Sequence, residues 1–306
     1  MPLTMLLAES STIRLSTGAQ IMLQKTLAST SRLLPYKVRR ACNLIGLDSS
    51  VKFGTDSVYH QKYDEESLRE KRFFNFGAGG FKHHFWSNIE AANSYDDVFA
   101  KQVDVEFDFT SRDRLPVDDN CAEICYTSHV VEHLRDRHVE HIFGEACRIL
   151  KPGGIFRVTC PSVTLACLAV ETGDLEFFKA LIGTQRLSTD LTVDVGLAFY
   201  ISRQLVLPEI GRSQWDLPGF MELRKERGRN GALDYLCSLS WDEYQKTNPV
   251  HINWWDEEKM VRMLQRAGFS QVYVSAYGQS SALVMRDTNL FDNTHPQISL
   301  FVEAQK

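Results

Sequence analysis

The chain has 306 residues and a formal net charge of −5, with 43% hydrophobic and 24% charged residues. This balance is typical of a globular protein with a substantial core and excludes a largely disordered chain. The negative charge argues against a general polyanion binder, because such proteins present a strongly basic surface to phosphates, so we expect no nucleic acid among its partners.

Cysteine usage and hydropathy indicate the compartment. The seven cysteines are scattered and form no Cys-x-x-Cys pair, which argues against a disulfide scaffold and against a zinc ribbon. No apolar run approaches the roughly 20 residues that a membrane-spanning helix needs, and residues 1–8 lack the positive charge that opens a signal peptide. We expect a cytoplasmic protein with reduced cysteines.

Residues 1–70 are interpreted as a basic N-terminal helical extension. Up to residue 47, six basic side chains accompany a single acidic residue, Glu9. Three interpretations stay open: a helix packed on the domain, a helix that contacts a membrane surface or a partner, and an organelle transit peptide. A membrane-contacting arm would make the cytoplasmic protein peripheral at the membrane.

Short apolar runs alternate with helical stretches from residue 71 onward. Strands are predicted at residues 73–76, 86–90, 103–109, 122–128 and 155–160, and a helix at 136–150 that stops at the Lys-Pro-Gly-Gly turn of residues 151–154. Such alternation is expected of βαβ units. Residues 71–161 are therefore predicted to form the cofactor-binding core of an α/β, doubly wound, mostly parallel sheet.

The regular alternation lapses after residue 161. Residues 162–250 contain helical patches and many aromatic residues, and a segment of that size is predicted to be a helical lid or acceptor-binding insertion late in the sheet. Residues 251–306 complete the α/β core, with a helix at 256–267 and strands at 271–276 and 298–304.

A glycine turn follows the first strand, at Gly77, Gly79 and Gly80. Glycines there let the backbone approach a ligand closely. Lys82 stands where a dinucleotide fingerprint would have its third glycine, which weakens a nicotinamide or flavin interpretation. Many other nucleotide-like cofactors would suit the turn.

Two acidic residues end neighbouring strands of the predicted sheet. Glu90 ends the second strand, where its oxygens could accept both hydroxyls of a ribose. Asp108 ends the third strand at the edge where open parallel sheets bind ligands, and it could accept from an adenine amino group. Phe109 could stack on that ring or enter the core, and both interpretations stay open.

Four motifs follow one another in this part of the chain: FFNFGAGG at residues 73–80, LPVDD at 115–119, YTSHVVEHL at 126–134 and RILKPGG at 148–154. In this order they resemble class I S-adenosylmethionine-dependent methyltransferases of the type 11 kind, similar to those of polysaccharide biosynthesis. The resemblance covers residues 72–162 and resumes weakly at 251–272. It implies a Rossmann-like methyltransferase fold, S-adenosyl-L-methionine as the cofactor and a transferase activity.

The resemblance also assigns cofactor contacts residue by residue. It implies that the glycine turn cradles the methionine part, Glu90 the ribose and Asp108 with Phe109 the adenine, while Ser128 and His129 line the sulfonium side. One departure is Asn75, where the family often has an acid that helps to hold the amino group of the cofactor. The implied cofactor-binding residues are Asn75, Gly77, Ala78, Gly79, Gly80, Glu90, Asp108, Phe109, Ser128 and His129.

His129, Glu132 and His133 spell a His-x-x-Glu-His motif, which on a helix is the spacing of inverted zinc peptidases. The motif follows an apolar strand rather than lying in a long helix, and no third ligand is specified, so a peptidase is a minor alternative and no metal site is expected. Within a methyltransferase, Glu132 and His133 are expected to cap and pack the start of the following helix.

The acceptor is predicted to be a hydroxyl of a sugar-like or other small polar compound or glycan. A hydroxyl must lose its proton, and His129 and His251 are the candidate general bases. Two alternatives remain: an N-methyltransferase of a small amine, which needs no strong base, and a non-catalytic cofactor-binding module, which Asn75 favours.

Overall fold

The computed structural model of the protein describes residues 56–91, 103–182, 192–205, 217–241 and 251–306. The basic segment up to residue 47 lies outside the described residues, so its role as a packed helix, a membrane contact or a transit peptide stays a prediction. No helix in the described ranges combines the length and apolarity needed to cross a bilayer.

Seven strands form one sheet in the order β3-β2-β1-β4-β5-β7-β6. Strands β1 to β5 pair in parallel, and β7 runs antiparallel to both of its neighbours. The strands are β1 (Phe73–Phe76), β2 (Trp86–Glu90), β3 (Val105–Glu106), β4 (Ala122–Ser128), β5 (Leu150–Pro161), β6 (Gln271–Val274) and β7 (Ser299–Gln305). This confirms the predicted doubly wound, mostly parallel α/β fold.

Eight helices accompany the sheet in the part of the chain that the structure describes. They are α1 (Asp56–Lys62), α2 (Glu65–Arg69), α3 (Asp136–Ile149), α4 (Val163–Thr172), α5 (Leu175–Ile182), α6 (Val193–Gln204), α7 (Leu217–Ser238, kinked at Gly228) and α8 (Glu257–Arg266). Helix α8 begins after Asp256, whose side chain accepts from the Lys259 amide. This N-cap fixes the start of α8 at the position that the sequence predicts.

The sheet is buried on both faces, which explains the nearly continuous apolar runs of its central strands. One face packs against α3 and α8 through Phe74, Phe76 and Ile142 among others. The opposite face packs against α1 through Tyr59, Phe73 and their neighbours. Helices α4 to α7 bury their apolar residues mainly in a separate cluster of their own.

Two predicted strands differ from the structure by more than two residues in total. The third was expected at residues 103–109 but spans only Val105–Glu106, because β3 lies at the sheet edge and the chain turns at Asp108, which accepts from the Thr110 amide. The fifth was expected at 155–160 but begins at Leu150, which pairs with Ala122 across a register irregularity. The Lys-Pro-Gly-Gly segment is therefore part of β5.

Candidate functional site

The glycine turn joins β1 to the segment that leads into β2. Gly77 and Gly79 both have positive φ angles, 88° and 47°, where residues with a side chain are strained. A Cβ at Gly77 would lie 2.3 Å from Cγ2 of Val130, whereas a Cβ at Gly79 would meet no atom of the described residues within 4 Å. Gly77 thus allows the turn to pack on the segment after β4, and Gly79 borders open space that a ligand can fill.

The Glu90 carboxylate lies against this turn, as the sequence predicts. Its Oε2 accepts from the Ala78 amide at 3.0 Å and its Oε1 from the Ala91 amide at 2.9 Å. A carboxylate offers about four acceptor positions, so lone pairs remain for the two hydroxyls of a ribose. The open space at Gly79 and the carboxylate beside it fit the adenosyl and methionine parts of the predicted cofactor.

Asn75 is buried beneath the turn and is committed to internal contacts. Its Nδ2 donates to the Gly77 carbonyl at 3.1 Å and to Oδ1 of Asn88 at 3.0 Å. An ionised acid has no proton to donate to either group. The amide therefore stabilises the turn, and a direct contact of Asn75 with the cofactor stays a prediction.

The two residues expected at the adenine have different environments. Asp108 is exposed, and its Oδ1 accepts from the amide and hydroxyl of Thr110. Phe109 is only 7% exposed and packs in the core beside Phe107, with 5.9 Å between ring centroids. Of the two interpretations of Phe109, burial of the ring favours packing in the core, and a contact with the adenine stays a prediction.

The end of β4 leads directly into the residues expected near the sulfonium. Ser128 accepts from the Thr159 hydroxyl at 2.9 Å. His129 has a φ of 55°, an uncommon conformation for a residue with a side chain, and its amide donates to the Thr159 carbonyl. Such local strain is concentrated at functional sites.

Four residues, His129, Glu132, His133 and His251, form what we call the histidine cluster. Glu132 is 1% exposed; its Oε1 lies 3.0 Å from Nδ1 of His129 and 3.9 Å from Nε2 of His251. The rings of His133 and His251 meet edge to face at 4.7 Å. The cluster therefore surrounds one buried carboxylate with three imidazoles.

Backbone hydrogen bonds bring the distant His251 to this cluster. The Ile252 amide donates to the Glu132 carbonyl at 2.9 Å, and Nδ2 of Asn253 donates to the Leu134 carbonyl at 2.7 Å. The chain leading into α8 is thereby fixed along the turn that follows β4. The His-x-x-Glu-His motif was the sequence signal for this cluster, but nothing in the sequence identified His251 as its fourth member.

The structure corrects the helix-capping role expected of Glu132 and His133. Both lie in a 3₁₀ turn, Val131–His133, and the N-cap of α3 is Arg135. Glu132 instead points into the histidine cluster.

The cluster shifts the pKa values of its members. Burial alone would raise the pKa of Glu132, but His129 and the other two imidazoles outweigh that effect and lower the pKa to about 2. Burial also lowers the pKa of His251 to about 3, against the opposing effect of Glu132.

The two candidate bases differ in their contacts. His129 places Nδ1 at ion-pair distance from Glu132 and Nε2 2.9 Å from the Ser299 hydroxyl, so both nitrogens face protein groups. Nδ1 of His251 is buried and has no hydrogen-bond partner in the part of the chain that the structure describes. A general base needs a lone pair directed at its substrate. The contacts therefore favour a positioning role for His129 over the predicted role of base.

Comparison with known proteins identifies the central part of this chain. Residues 88–158, which include Glu90, Asp108 and most of the histidine cluster, match the family model described as a methyltransferase domain. No curated protein matches the chain. Over residues 88–158 the family match confirms the predicted class I S-adenosylmethionine-dependent methyltransferase domain, and the sheet order confirms its Rossmann-like fold.

Solved structures resemble the chain only remotely. A methyltransferase from Mesorhizobium loti shares 14% identity over 79% of this chain and 96% of its own, with a TM-score of 0.35. One from Archaeoglobus fulgidus shares 10% identity over 76% of this chain and 85% of its own, with a TM-score of 0.36. At this distance they carry no argument about the acceptor.

Proposed function

We propose that this methyltransferase transfers the methyl group of S-adenosylmethionine to a hydroxyl of a sugar-like or other small polar acceptor. The cofactor supplies a methyl group on a positively charged sulfur. The glycine turn, Glu90, Asp108 and Ser128 would hold it at the carboxyl ends of the parallel strands, where open α/β sheets bind their ligands. The remaining residues of the site would hold the acceptor oxygen close to and in line with the methyl group.

The observation that carries the proposal is the histidine cluster beside the glycine turn. Val130 links the two features, since it lies next to His129 and its Cγ2 would be 2.3 Å from a Cβ at Gly77. A hydroxyl must lose its proton during transfer, whereas an amine that binds neutral needs no strong base. A buried carboxylate among imidazoles at this place favours a hydroxyl acceptor.

Within the cluster, we assign activation of the acceptor to the side formed by Glu132 and His251. His129 would position Glu132, because its two nitrogens face Glu132 and Ser299. Among the described residues, one ring nitrogen of His251 has no hydrogen-bond partner, and the side chain is 17% exposed.

We further propose that residues 162–250 cover the acceptor, as in enzymes of polysaccharide or glycan assembly. Trp241, within this segment, is 38% exposed, and its Nε1 lies 3.4 Å from the carbonyl of Ile252, next to His251. The Arg135 guanidinium lies 5.3 Å from the centre of the Trp241 ring. A partly exposed aromatic face near the cluster suits the apolar face of a sugar ring.

A screen of acceptors tests this proposal. Nucleotide sugars, free glycans and small amines would be incubated with the enzyme and S-adenosylmethionine, and release of S-adenosylhomocysteine would be measured. We expect turnover with hydroxyl compounds. Turnover confined to amines would contradict the hydroxyl assignment, and cofactor binding without turnover on any acceptor would favour a non-catalytic module.

A further inference from the structure

We propose that Glu132, His133 and His251 form a binding site for one divalent transition-metal cation, with Zn²⁺ the best match. The three residues each offer one ligand atom, and these atoms all lie within 4.8 Å of one another. One carboxylate and two imidazoles are the protein ligands of many catalytic zinc sites, in which a further position stays open.

The cluster contains buried polar atoms that call for a ligand. Neither carboxylate oxygen of Glu132 has a hydrogen-bond partner among the described residues. The 3.0 Å contact from Glu132 to His129 is at ion-pair distance but lacks hydrogen-bond geometry. A buried carboxylate without hydrogen bonds is costly, and a coordinated cation would offset that cost.

The geometry requires only side-chain adjustment. Ligand atoms about 2.0 Å from a tetrahedral cation are roughly 3.3 Å apart, and Oε1 of Glu132 lies 3.9 Å from Nε2 of His251. The backbone on both sides is already fixed by hydrogen bonds from the Ile252 amide to the Glu132 carbonyl and from the His133 amide to the Val130 carbonyl. Rotation of the imidazole rings would bring the ligand atoms to these shorter distances.

His129 would support this site from the second shell. Its Nδ1 lies beside the Glu132 carboxylate, and its Nε2 is held by the Ser299 hydroxyl at 2.9 Å. A residue that contacts a ligating carboxylate in this way orients it and commonly alters metal affinity by about 10- to 100-fold. His129 is therefore a positioning residue for the cation.

The role of the cation rests on the proposed function. An open coordination position beside the cofactor site would accept the hydroxyl oxygen of the acceptor. The cation would withdraw electron density from that oxygen and ease the loss of its proton to solvent water, while the same oxygen forms the bond to the methyl group. No oxidation or reduction is involved.

The test is a titration of Co²⁺ and Zn²⁺ into full-length protein freed of metal with a chelator. We expect one equivalent of Co²⁺ with the visible absorption bands of a site of low coordination number, displaced by Zn²⁺. Glu132→Gln and His251→Asn should each weaken binding at least about 100-fold, and His129→Asn about 10- to 100-fold. Circular dichroism would verify that each variant is folded.

A second set of residues provides the matched control. Asp56, His83 and His84 also place ligand atoms close together, but Asp56 and His84 are exposed. The double variant with His83→Ala and His84→Ala should keep the Co²⁺ spectrum and affinity of the unaltered protein.

Two outcomes would overturn the proposal. The first is a protein that binds S-adenosylhomocysteine in the same preparation yet takes up no stoichiometric Co²⁺ or Zn²⁺. The second is metal binding that survives in folded His251→Asn or Glu132→Gln protein and is lost in the His83 and His84 double variant. Absence of S-adenosylhomocysteine binding would instead count against the proposed function, because the metal titration needs neither cofactor nor acceptor.

Discussion

Gly77 and Gly79 lie two residues apart in one turn, yet a side chain would meet different surroundings at each. The positive φ angles strain any substitution at either position. At Gly77 the Val130 side chain fills the space that a Cβ would take, whereas no described residue fills it at Gly79. The sequence motif predicted both glycines but could not separate the one that packs against Val130 from the one that borders open space.

Replacement of Gly79 by valine should abolish cofactor binding and leave the protein folded. The branched side chain would occupy the open space beside the turn, at a backbone cost of about 1–2 kcal/mol. Calorimetric titration with S-adenosylhomocysteine and thermal unfolding would measure the two effects.

Gly77→Ala is the comparison, because its Cβ would collide with Val130. We expect it to lower the melting temperature more than Gly79→Val does. The assignment of the two glycines would be wrong if Gly79→Val kept its cofactor affinity, or if Gly77→Ala were as stable as the unaltered protein.

His251→Asn should lower turnover by about two to four orders of magnitude, the usual share of proton transfer in catalysis, with the affinity for S-adenosylhomocysteine nearly unchanged. His129→Asn should cost less, since asparagine tolerates the left-handed backbone found at His129 and the variant removes only the positioning of Glu132. Single-turnover kinetics with a saturating acceptor would check both. A larger loss in His129→Asn than in His251→Asn would reverse the two roles.

At the scale of elements, Arg157 joins β5 to the loops that precede β7. Its guanidinium is fully buried and donates to Asp292, to the Ala276 carbonyl and to Glu303. Asp292 in turn accepts from the Gly278 amide. Because five donors of one guanidinium are shared among these groups, the network fixes the antiparallel end of the sheet.

Arg157→Leu should destabilise the protein by about 3–5 kcal/mol, because two buried carboxylates would lose their cation. Equilibrium unfolding in urea would measure the change. Arg262→Leu is the matched control: its ion pair with Glu258 is exposed at both ends and should contribute less than about 1 kcal/mol. Equal effects of the two variants would contradict the argument from burial.

Glu303 should contribute to loss of stability in acid. Burial alone would raise its pKa, but hydrogen bonds from Ser280, Ser281 and Tyr273 outweigh that effect and hold the pKa below its ordinary value of 4.5. Its contribution is therefore complete above that value and is lost as the pH falls through the lower pKa of the folded state. Unfolding free energies measured from pH 6 downward should fall less steeply in Glu303→Gln, and an unchanged slope would contradict this assignment.

The local hydrophobic pattern of the sequence predicted most strands of the sheet. It did not predict the strand lengths that depend on pairing with a neighbouring strand. The bounds of β1, β2 and β4 agree with the sequence prediction because buried apolar runs end at turn residues. The length of β3 depends on its partner: as an edge strand it pairs with only two residues of β2. The start of β5 depends likewise on the pairing of Leu150 with Ala122.

In the candidate site, too, the sequence predicted some contacts and missed others. The contact of Glu90 with the glycine turn followed from the order of strands and turns along the chain. The burial of Phe109 and the approach of His251 to Glu132 are tertiary packing, which spacing in the sequence does not encode.

At the scale of the whole molecule, the strand order determines where the site lies. The chain leaves β1 toward β2 on one side and later returns to β4 on the other, so the order reverses between β1 and β4. Ligands bind at such a reversal, outside the carboxyl ends of the strands. The glycine turn after β1 and the histidine cluster after β4 are the two sides of this position.

Titration calorimetry with S-adenosylhomocysteine, and with NAD⁺ as the comparison ligand, tests the central claim most directly. We predict one site per chain for S-adenosylhomocysteine and none for NAD⁺. We also predict a higher melting temperature, since a ligand at 100 times its Kd adds about 2.7 kcal/mol to the stability of the folded state. Binding of NAD⁺ without binding of S-adenosylhomocysteine would contradict the account.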